Sequence, residues 1–190
     1  MALTSRFETA LSFAARLHAH QVRKQTNIPY ISHLLAVTGI ALEHGANEDE
    51  AIAALLHDAI EDQGGDHTRQ TIRRLFGEQV VEIVNGCTDA ETDPKPDWRP
   101  RKEQYIAHIR HAPASVRLVS SADKLHNART ILADYRVIGE KVWERFTGGK
   151  EGTLWYYRSL VEAFREAGAT PLVEELVRVV SEMERLSACR

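Results

Sequence analysis

Apolar residues recur with a helical period in nearly every segment of the 190-residue sequence. Amphipathic helices can bury their apolar faces only by packing against one another, so this pattern predicts an all-α fold. The last helix is an example, because Thr170 and Pro171 suit its N-cap and first turn. Its apolar stripe consists of Leu172, Leu176, Val179, Val180, Met183 and Leu186.

Capping residues, glycines and prolines mark the boundaries of about 8–10 helices. We expect them at about residues 5–17, 30–44, 48–62, 68–76, 78–85, 101–111, 114–132, 133–146, 151–167 and 171–188. Ser5 with Glu8 predicts a capping box at the start of the first helix, and Asn47 with Glu50 marks the start of the third. No linker is long enough to divide the chain, so we expect residues 1–190 to form one domain.

The composition is that of a soluble globular protein, with 43% hydrophobic and 27% charged residues. The formal charge is −3, so we do not expect a general affinity for nucleic acid or membranes. The two cysteines, Cys87 and Cys189, are too few for a disulfide framework and lack the spacing of metal ligands. There is no secretory signal and no apolar run of about 18 residues, so we expect a cytoplasmic protein.

The third predicted helix departs from the usual amphipathic pattern. Residues 51–56 are apolar on every side, which is typical of a helix in the middle of a core. Four polar residues follow, namely His57, Asp58, Glu61 and Asp62. The helical period places Asp58 and Asp62 on an interior stripe, where an unpaired carboxylate is costly. A divalent cation bound by His57 and Asp58 would remove that cost; alternatively, the helix end simply emerges into solvent.

His33 and Asp123 become candidate ligands because of their order along the chain. Taken alone, His33 on its apolar helix would be a hydrogen-bonded core residue, and Asp123 in mid-helix would be a surface residue. Together with the adjacent His57 and Asp58, however, they give one His, then a His-Asp pair, then a distant Asp.

Four blocks of sequence strengthen this pattern. They are QVRK at residues 21–24, PYISH at 29–33, LLHDAIED at 55–62 and ADKLHN at 122–127. In this order they resemble the HD phosphohydrolase superfamily, and within it the hydrolase domain of RelA/SpoT homologues, which degrade the alarmones ppGpp and pppGpp. The resemblance covers the motif-bearing part of the chain, about residues 7–164. It implies an HD-type helical bundle, and the chain length implies a stand-alone small alarmone hydrolase.

The resemblance also implies a metal site, with the ligands His33, His57, Asp58 and Asp123. Two imidazoles and two carboxylates suit a first-row divalent ion, unlike a Cys-rich zinc site. The relatives mostly use Mn²⁺, which is therefore the cofactor we expect. Glu61 and Asp62 would lie one turn further along the same helix, about 6 Å away, as the catalytic acids that orient or deprotonate the attacking water.

An acidic protein needs a local basic patch to bind a nucleotide with several phosphates. The substrate-binding residues expected from the resemblance are Arg23, Lys24, Lys124, Asn127, Lys150, Trp155 and Tyr156. For the aromatic run at 155–157, core packing is the alternative for at least two of the three side chains. The expected partner is a small-molecule nucleotide, and the sequence does not address the oligomeric state.

The implied reaction is hydrolysis of (p)ppGpp to GDP or GTP and pyrophosphate. The sequence departs from the family at Leu34, where Pro is usual, and at Gln63, where Thr is usual. Neither is an expected ligand, and the substrate identity stays open. The alternatives are (p)ppApp or the 2′-phosphate of NADPH, which the same metal chemistry would cleave, and a catalytically silent nucleotide sensor, which would be expected to have lost a ligand or a catalytic acid.

Overall fold

The computed structural model describes residues 2–89 and 96–188. Within these ranges the chain forms ten α-helices and one 3₁₀-helix. In order they are α1 (Ser5–Leu17), α2 (Ile31–Glu43), α3 (Glu48–Leu56), α4 (Ala59–Asp62), α5 (Gly65–Phe76), α6 (Glu78–Cys87), α7 (Trp98–His111), α8 (Ala114–Ile138), the 3₁₀-helix (Gly139–Arg145), α9 (Gly149–Ala167) and α10 (Pro171–Ala188). The only β feature of the described residues is an isolated bridge between Val22 and Pro29. The all-α prediction is confirmed.

The described chain divides into two compact units. The first contains residues 2–89 and 113–122, which form α1 to α6 and the first part of α8. Helix α3 contacts α1, α2 and α6. Its residues 51–56 are completely buried, as their apolar side chains on every face predict. The helix that leads to the candidate site is therefore anchored in a core.

Side-chain caps hold the starts of α1 and α3. Asn47 caps α3 through a complete capping box: its side chain accepts from the Glu50 amide at 3.0 Å, and Glu50 accepts from the Asn47 amide at 2.7 Å. For α1, the predicted capping box at Ser5 is wrong. The N-cap is Thr4, whose hydroxyl oxygen accepts a 3.2 Å hydrogen bond from an amide of the first turn.

The helix predicted over residues 48–62 is interrupted at His57 and Asp58, two of the predicted metal ligands. Helix α3 ends at Leu56, and His57 and Asp58 form a turn before α4. The His57 side chain bonds back to the Ala54 carbonyl at 2.8 Å, and Asp58 has a φ of −99° and a ψ of −2°. The prediction of one continuous helix is therefore wrong, and the apolar stripe does not continue regularly through the turn.

The second unit contains residues 96–112 and 123–188. Helix α9 contacts α7, α10 and the 3₁₀-helix. Two glycines permit close aromatic packing there, because a Cβ at Gly148 or Gly152 would lie 2.7 Å or 3.1 Å from the ring of Trp98. Any side chain at Gly148 would displace that indole.

Helix boundaries around α7 and α8 differ from the prediction. Helix α7 begins at Trp98, three residues earlier than predicted, because Pro100 is tolerated in the first turn, where no intrahelical N–H bond is lost. Helix α8 runs unbroken over Ala114–Ile138, so the predicted division at residue 132 is wrong. It ends before Gly139, whose φ of +60° suits glycine, and a 3₁₀-helix replaces the rest of the predicted helix over 133–146.

Three further predictions concern the C-terminal helix, membrane-spanning segments and the number of domains. The predicted C-terminal helix at about 171–188 is confirmed as α10. Within the described ranges, the helices are too short or too polar to cross a membrane. A single domain over residues 1–190 stays a prediction, and Cys189 lies outside the described residues.

Candidate functional site

Two histidines and one carboxylate lie close together in the first unit. One donor atom from each of His33, His57 and Asp58 lies within 4.8 Å of the others. The imidazoles are 1% and 3% exposed, whereas Asp58 is half-buried. Asp58 Oδ2 lies 3.0 Å from His57 Nε2 and 3.6 Å from His33 Nε2. We call these three residues the His-His-Asp cluster, and they are three of the four predicted metal ligands.

The ends of two helices position the imidazoles. His57 follows the last residue of α3, and its Nδ1 lies 2.8 Å from the Ala54 carbonyl oxygen, so Nδ1 carries the hydrogen. The lone pair of His57 is then on Nε2, the atom that faces Asp58. His33 lies in the first turn of α2, and its ring meets that of His57 edge-on, with the centroids 5.2 Å apart. The bond from His57 Nδ1 to the Ala54 carbonyl therefore selects the tautomer in which His57 Nε2 can bind a cation.

Tyr30 is a site residue that sequence reasoning missed. Its hydroxyl donates to Asp58 Oδ2 at 2.5 Å. Its ring stacks on His18, with the centroids 5.3 Å apart, and meets His33 edge-on at 5.4 Å. Tyr30 and His33 share a face at the start of α2 because they are three residues apart. That spacing was a usable signal, although it does not reveal the bond to Asp58.

The predicted catalytic carboxylates lie on α4, directly after the turn. Glu61 accepts a hydrogen bond from the Asp89 amide at 3.1 Å. Asp62 is exposed and accepts one from the Gln21 side-chain amide at 2.8 Å. Because α4 is separate from α3, Glu61 and Asp62 do not continue the helix of the metal ligands as predicted. Their catalytic role stays a prediction.

The predicted basic residues Arg23 and Lys24 lie in the loop before α2. Backbone hydrogen bonds close this loop, from the Arg23 amide to the Ile28 carbonyl at 2.8 Å and from the Tyr30 amide to the Gln21 carbonyl at 2.9 Å. The Arg23 guanidinium carbon lies 5.8 Å from the centroid of the Tyr30 ring, which is within cation–π range. Lys24 is exposed. The loop therefore holds Arg23 beside a tyrosine that contacts the His-His-Asp cluster.

The fourth predicted ligand, Asp123, lies on α8 in the second unit. Its Oδ2 pairs with Lys124 Nζ at 2.6 Å, and its Oδ1 accepts from the Asn127 amide at 2.5 Å. Burial on its own would lower the pKa of Lys124, but the Asp123 carboxylate and two nearby tyrosines raise that pKa well above its ordinary value. The three predicted residues thus form one interacting group, and the role of Asp123 as a ligand stays a prediction.

The predicted substrate-binding residues Lys150, Trp155 and Tyr156 differ from one another in burial and contacts. Lys150 Nζ bonds Glu140 of the 3₁₀-helix at 3.2 Å and a backbone carbonyl near the end of α10 at 2.8 Å. Tyr156 is buried, in line with the packing alternative. Trp155 is partly exposed, and the Arg99 guanidinium carbon lies 3.3 Å from a ring centroid of its indole. Lys150 and Tyr156 thus have internal contacts and Trp155 is partly exposed beside Arg99, and the substrate-binding role of all three stays a prediction.

The donor set of the His-His-Asp cluster suits a divalent cation. Two imidazole nitrogens and a carboxylate oxygen are ligands that first-row divalent ions prefer. The hydrogen-bond partners of these ligands also fit, because the Tyr30 hydroxyl donates to Asp58 Oδ2 and His57 Nδ1 donates to the Ala54 carbonyl. Such contacts hold ligating side chains in place before an ion arrives. The residues present therefore fit a metal site.

Comparison with known sequences finds a family model and several similar proteins. The model of the HD domain family matches residues 10–153. Two similar proteins are named guanosine-3′,5′-bis(diphosphate) 3′-pyrophosphohydrolase MESH1; they are 37% identical over 124 residues (Danio rerio) and 40% over 125 residues (Xenopus tropicalis). Each alignment covers 64% of this chain and 66% or 67% of the relative. The matched part thus spans about two thirds of these relatives.

Solved structures share the fold. One is described as a metazoan orthologue of SpoT that hydrolyses ppGpp; its TM-score is 0.77 at 24% identity, over 94% of this chain and 96% of that chain. A protein from Listeria monocytogenes has a TM-score of 0.70 at 28% identity, over 83% of this chain and 99% of that chain. The helical fold predicted from the sequence is therefore also found in both of these proteins.

Proposed function

Because this chain belongs to the HD domain family, we propose that it is a metal-dependent 3′-pyrophosphohydrolase that degrades (p)ppGpp to GDP or GTP and pyrophosphate. The observation that carries the proposal is the His-His-Asp cluster, in which three donor atoms lie within 4.8 Å of one another. The activity in the names of the MESH1 relatives supports the choice of substrate. The cytoplasmic location expected from the sequence is part of the same proposal.

The proposed cofactor is Mn²⁺, held by His33, His57 and Asp58, with Asp123 as the fourth ligand. When bound, a divalent cation supplies Lewis acidity and lowers the pKa of water toward neutrality. The mixed nitrogen and oxygen donors suit Mn²⁺ better than a thiolate-preferring metal. The contact of Tyr30 with Asp58 keeps that carboxylate oriented for binding.

The proposed catalytic acids are Glu61 and Asp62. A carboxylate beside the scissile bond takes a proton from the attacking water as the water oxygen bonds to phosphorus. The bond between phosphorus and the ribose 3′-oxygen breaks, pyrophosphate departs, and the 3′-oxygen takes up the proton that the carboxylate removed from the water. The Asp89 amide and the Gln21 side chain hold the two carboxylates in defined orientations.

Basic and polar side chains are proposed to hold the nucleotide. The groups with suitable chemistry are Arg23, Lys24 and Lys124 for phosphate oxygens, Asn127 for the sugar and Trp155 for the base. Phosphate binding suits Arg and Lys because they give charge-assisted hydrogen bonds. Lys150 and Tyr156 belong to the same proposed set, where Lys150 also bonds Glu140 and a backbone carbonyl and Tyr156 is buried.

A substrate panel tests this function. The purified protein is incubated with Mn²⁺ and, separately, ppGpp, ppApp, NADPH or GMP, and the products are identified by chromatography. We expect equal amounts of GDP and pyrophosphate from ppGpp, with no turnover after chelation of the metal. Preferred turnover of ppApp or NADPH would replace the proposed substrate. Binding of ppGpp without turnover of any compound would instead identify a silent sensor.

A further inference from the structure

Three side chains of the first unit form a hydrogen-bonded network that ends on Asp62. Gln21 Nε2 donates to Asp62 Oδ2 at 2.8 Å. Gln21 Oε1 accepts from Gln63 Nε2 at 2.7 Å and lies 2.6 Å from His18 Nδ1. We call the set of His18, Gln21 and Gln63 the amide network.

The chemistry of Asp62 fixes the direction of each bond. An ionised carboxylate only accepts hydrogen bonds, so the NH₂ group of Gln21 must face Asp62. The oxygen of Gln21 then faces His18 and Gln63, both of which must donate to it. His18 therefore carries its ring hydrogen on Nδ1.

The surroundings of His18 independently favour the same tautomer. His18 is only 2% exposed, and among the described residues its Nε2 has no hydrogen-bond partner. A hydrogen on Nε2 would thus be buried without an acceptor, which is unfavourable. With the hydrogen on Nδ1, that donor is satisfied by Gln21.

Asp62 depends on such contacts because of its place in the chain. It is the exposed last residue of α4, which has only four residues. A helix this short is not stable through its own backbone hydrogen bonds. His18 directly follows α1, and Gln63 directly follows α4. The amide network therefore ties the end of α4 to the end of α1.

On the basis of the proposed function, we propose that the amide network positions Asp62 for proton transfer, and that Gln63 is a positioning residue within it. The Gln63 amide supplies one of the two donors that hold the oxygen of Gln21. Without it, the Gln21 side chain gains rotational freedom and its bond to Asp62 weakens.

The kinetic test compares Gln63→Ala with the parent protein, using ppGpp and Mn²⁺. We expect kcat to fall roughly five-fold, the effect of one ordinary hydrogen bond, with KM and Mn²⁺ affinity unchanged. The control is Gln79→Ala, an exposed residue of α6, which should keep the parent kcat. A parent-like kcat for Gln63→Ala would overturn the proposal, as would a matching loss of Mn²⁺ affinity.

A double variant tests whether Gln63 acts through Asp62. In an Asp62→Asn background, Gln63→Ala should change the residual kcat by less than about two-fold, because the carboxylate to be positioned is already gone. An equal loss in both backgrounds would show that Gln63 acts independently of Asp62.

A measurement without substrate separates the network from the proposed function. ¹⁵N NMR of the histidine rings should show His18 with its hydrogen on Nδ1 in the parent protein and in Gln79→Ala. A hydrogen on His18 Nε2 would contradict the network even in a protein that hydrolyses ppGpp. If the tautomer is as expected but ppGpp is not hydrolysed, the proposed function fails and the network geometry stands.

Discussion

Tyr30 donates a 2.5 Å hydrogen bond to Asp58 through the same carboxylate oxygen that lies 3.0 Å from His57 Nε2. The tyrosine ring stacks on His18 and meets His33 edge-on, so packing limits the directions in which its hydroxyl can point. Tyr30 therefore orients the carboxylate of the His-His-Asp cluster while remaining outside the set of proposed ligands.

Replacing this tyrosine should weaken metal binding without unfolding the protein. Tyr30→Phe keeps the ring and removes the donor to Asp58, so we expect Mn²⁺ affinity to fall roughly ten-fold. Isothermal titration with Mn²⁺ measures the effect. Tyr135→Phe is the matched control, because the Tyr135 hydroxyl bonds Glu140 and the Leu186 carbonyl within the second unit. Equal affinities of the two variants would show that the Tyr30 hydroxyl does not support the metal site.

Loss of the Asp58 charge should abolish both metal binding and turnover. Asp58→Asn keeps the size of the side chain but replaces an anionic oxygen ligand with a neutral amide. The helical circular dichroism spectrum should stay that of the parent, because Asp58 lies in a turn outside the buried helix α3. The exposed Asp66 provides the control variant Asp66→Asn. Turnover by Asp58→Asn at the parent rate would mean that the ligand assignment is wrong.

Glu61→Gln should separate catalysis from metal binding. The glutamine can still accept the hydrogen bond from the Asp89 amide, but it cannot take a proton from water. We expect unchanged Mn²⁺ affinity and a fall in kcat of roughly 100-fold or more. Single-turnover measurements on ppGpp with saturating Mn²⁺ check this. A rate equal to that of the parent would exclude Glu61 from proton transfer.

The features predicted correctly from the sequence are those that local patterns determine. Asn47 and Glu50 are three residues apart, and their capping box needs nothing else from the fold. The burial of residues 51–56 follows from side chains that are apolar on every face of one helix. The start of α10 at Pro171 follows from the fixed φ of proline.

The features that the sequence did not predict depend on contacts between distant residues. One partner of Asp58 is Tyr30, 28 residues away, and one partner of Asp62 is Gln21, 41 residues away. A helical period also continues smoothly through His57, so it could not indicate that α3 ends at Leu56. The helical pattern paired His57 with Asp58, but only the resemblance to a family whose site residues are known predicted that His33 would join them.

Two helical glycines should respond oppositely to the same substitution. A Cβ at Gly86 in α6 would lie 2.6 Å from a methyl group of the buried Val116, whereas a Cβ at Gly39 in α2 meets no atom within 4 Å. We expect Gly86→Ala to lower the free energy of unfolding by about 1–3 kcal/mol through overpacking. Gly39→Ala should raise it by about 0.5–1 kcal/mol, because alanine is the better helix former. Urea unfolding measures both, and equal effects of the two substitutions would contradict the packing between α6 and Val116.

The contact between Thr4 and Glu48 should make stability depend on pH. Glu48 accepts hydrogen bonds from the Thr4 amide at 2.6 Å and hydroxyl at 2.8 Å, which hold the pKa of Glu48 below its ordinary value of 4.5. A carboxyl with a lowered pKa in the folded state stabilises that state above its unfolded pKa, and the contribution disappears as the pH falls through the folded pKa. Glu48→Gln should therefore be less stable than the parent at pH 7, and the two should converge only as the pH falls through the lowered pKa of the folded state. Urea unfolding at a series of pH values measures the difference, with the exposed Glu162→Gln as control. A difference that stays constant into the acid range would show that the charge of Glu48 does not contribute.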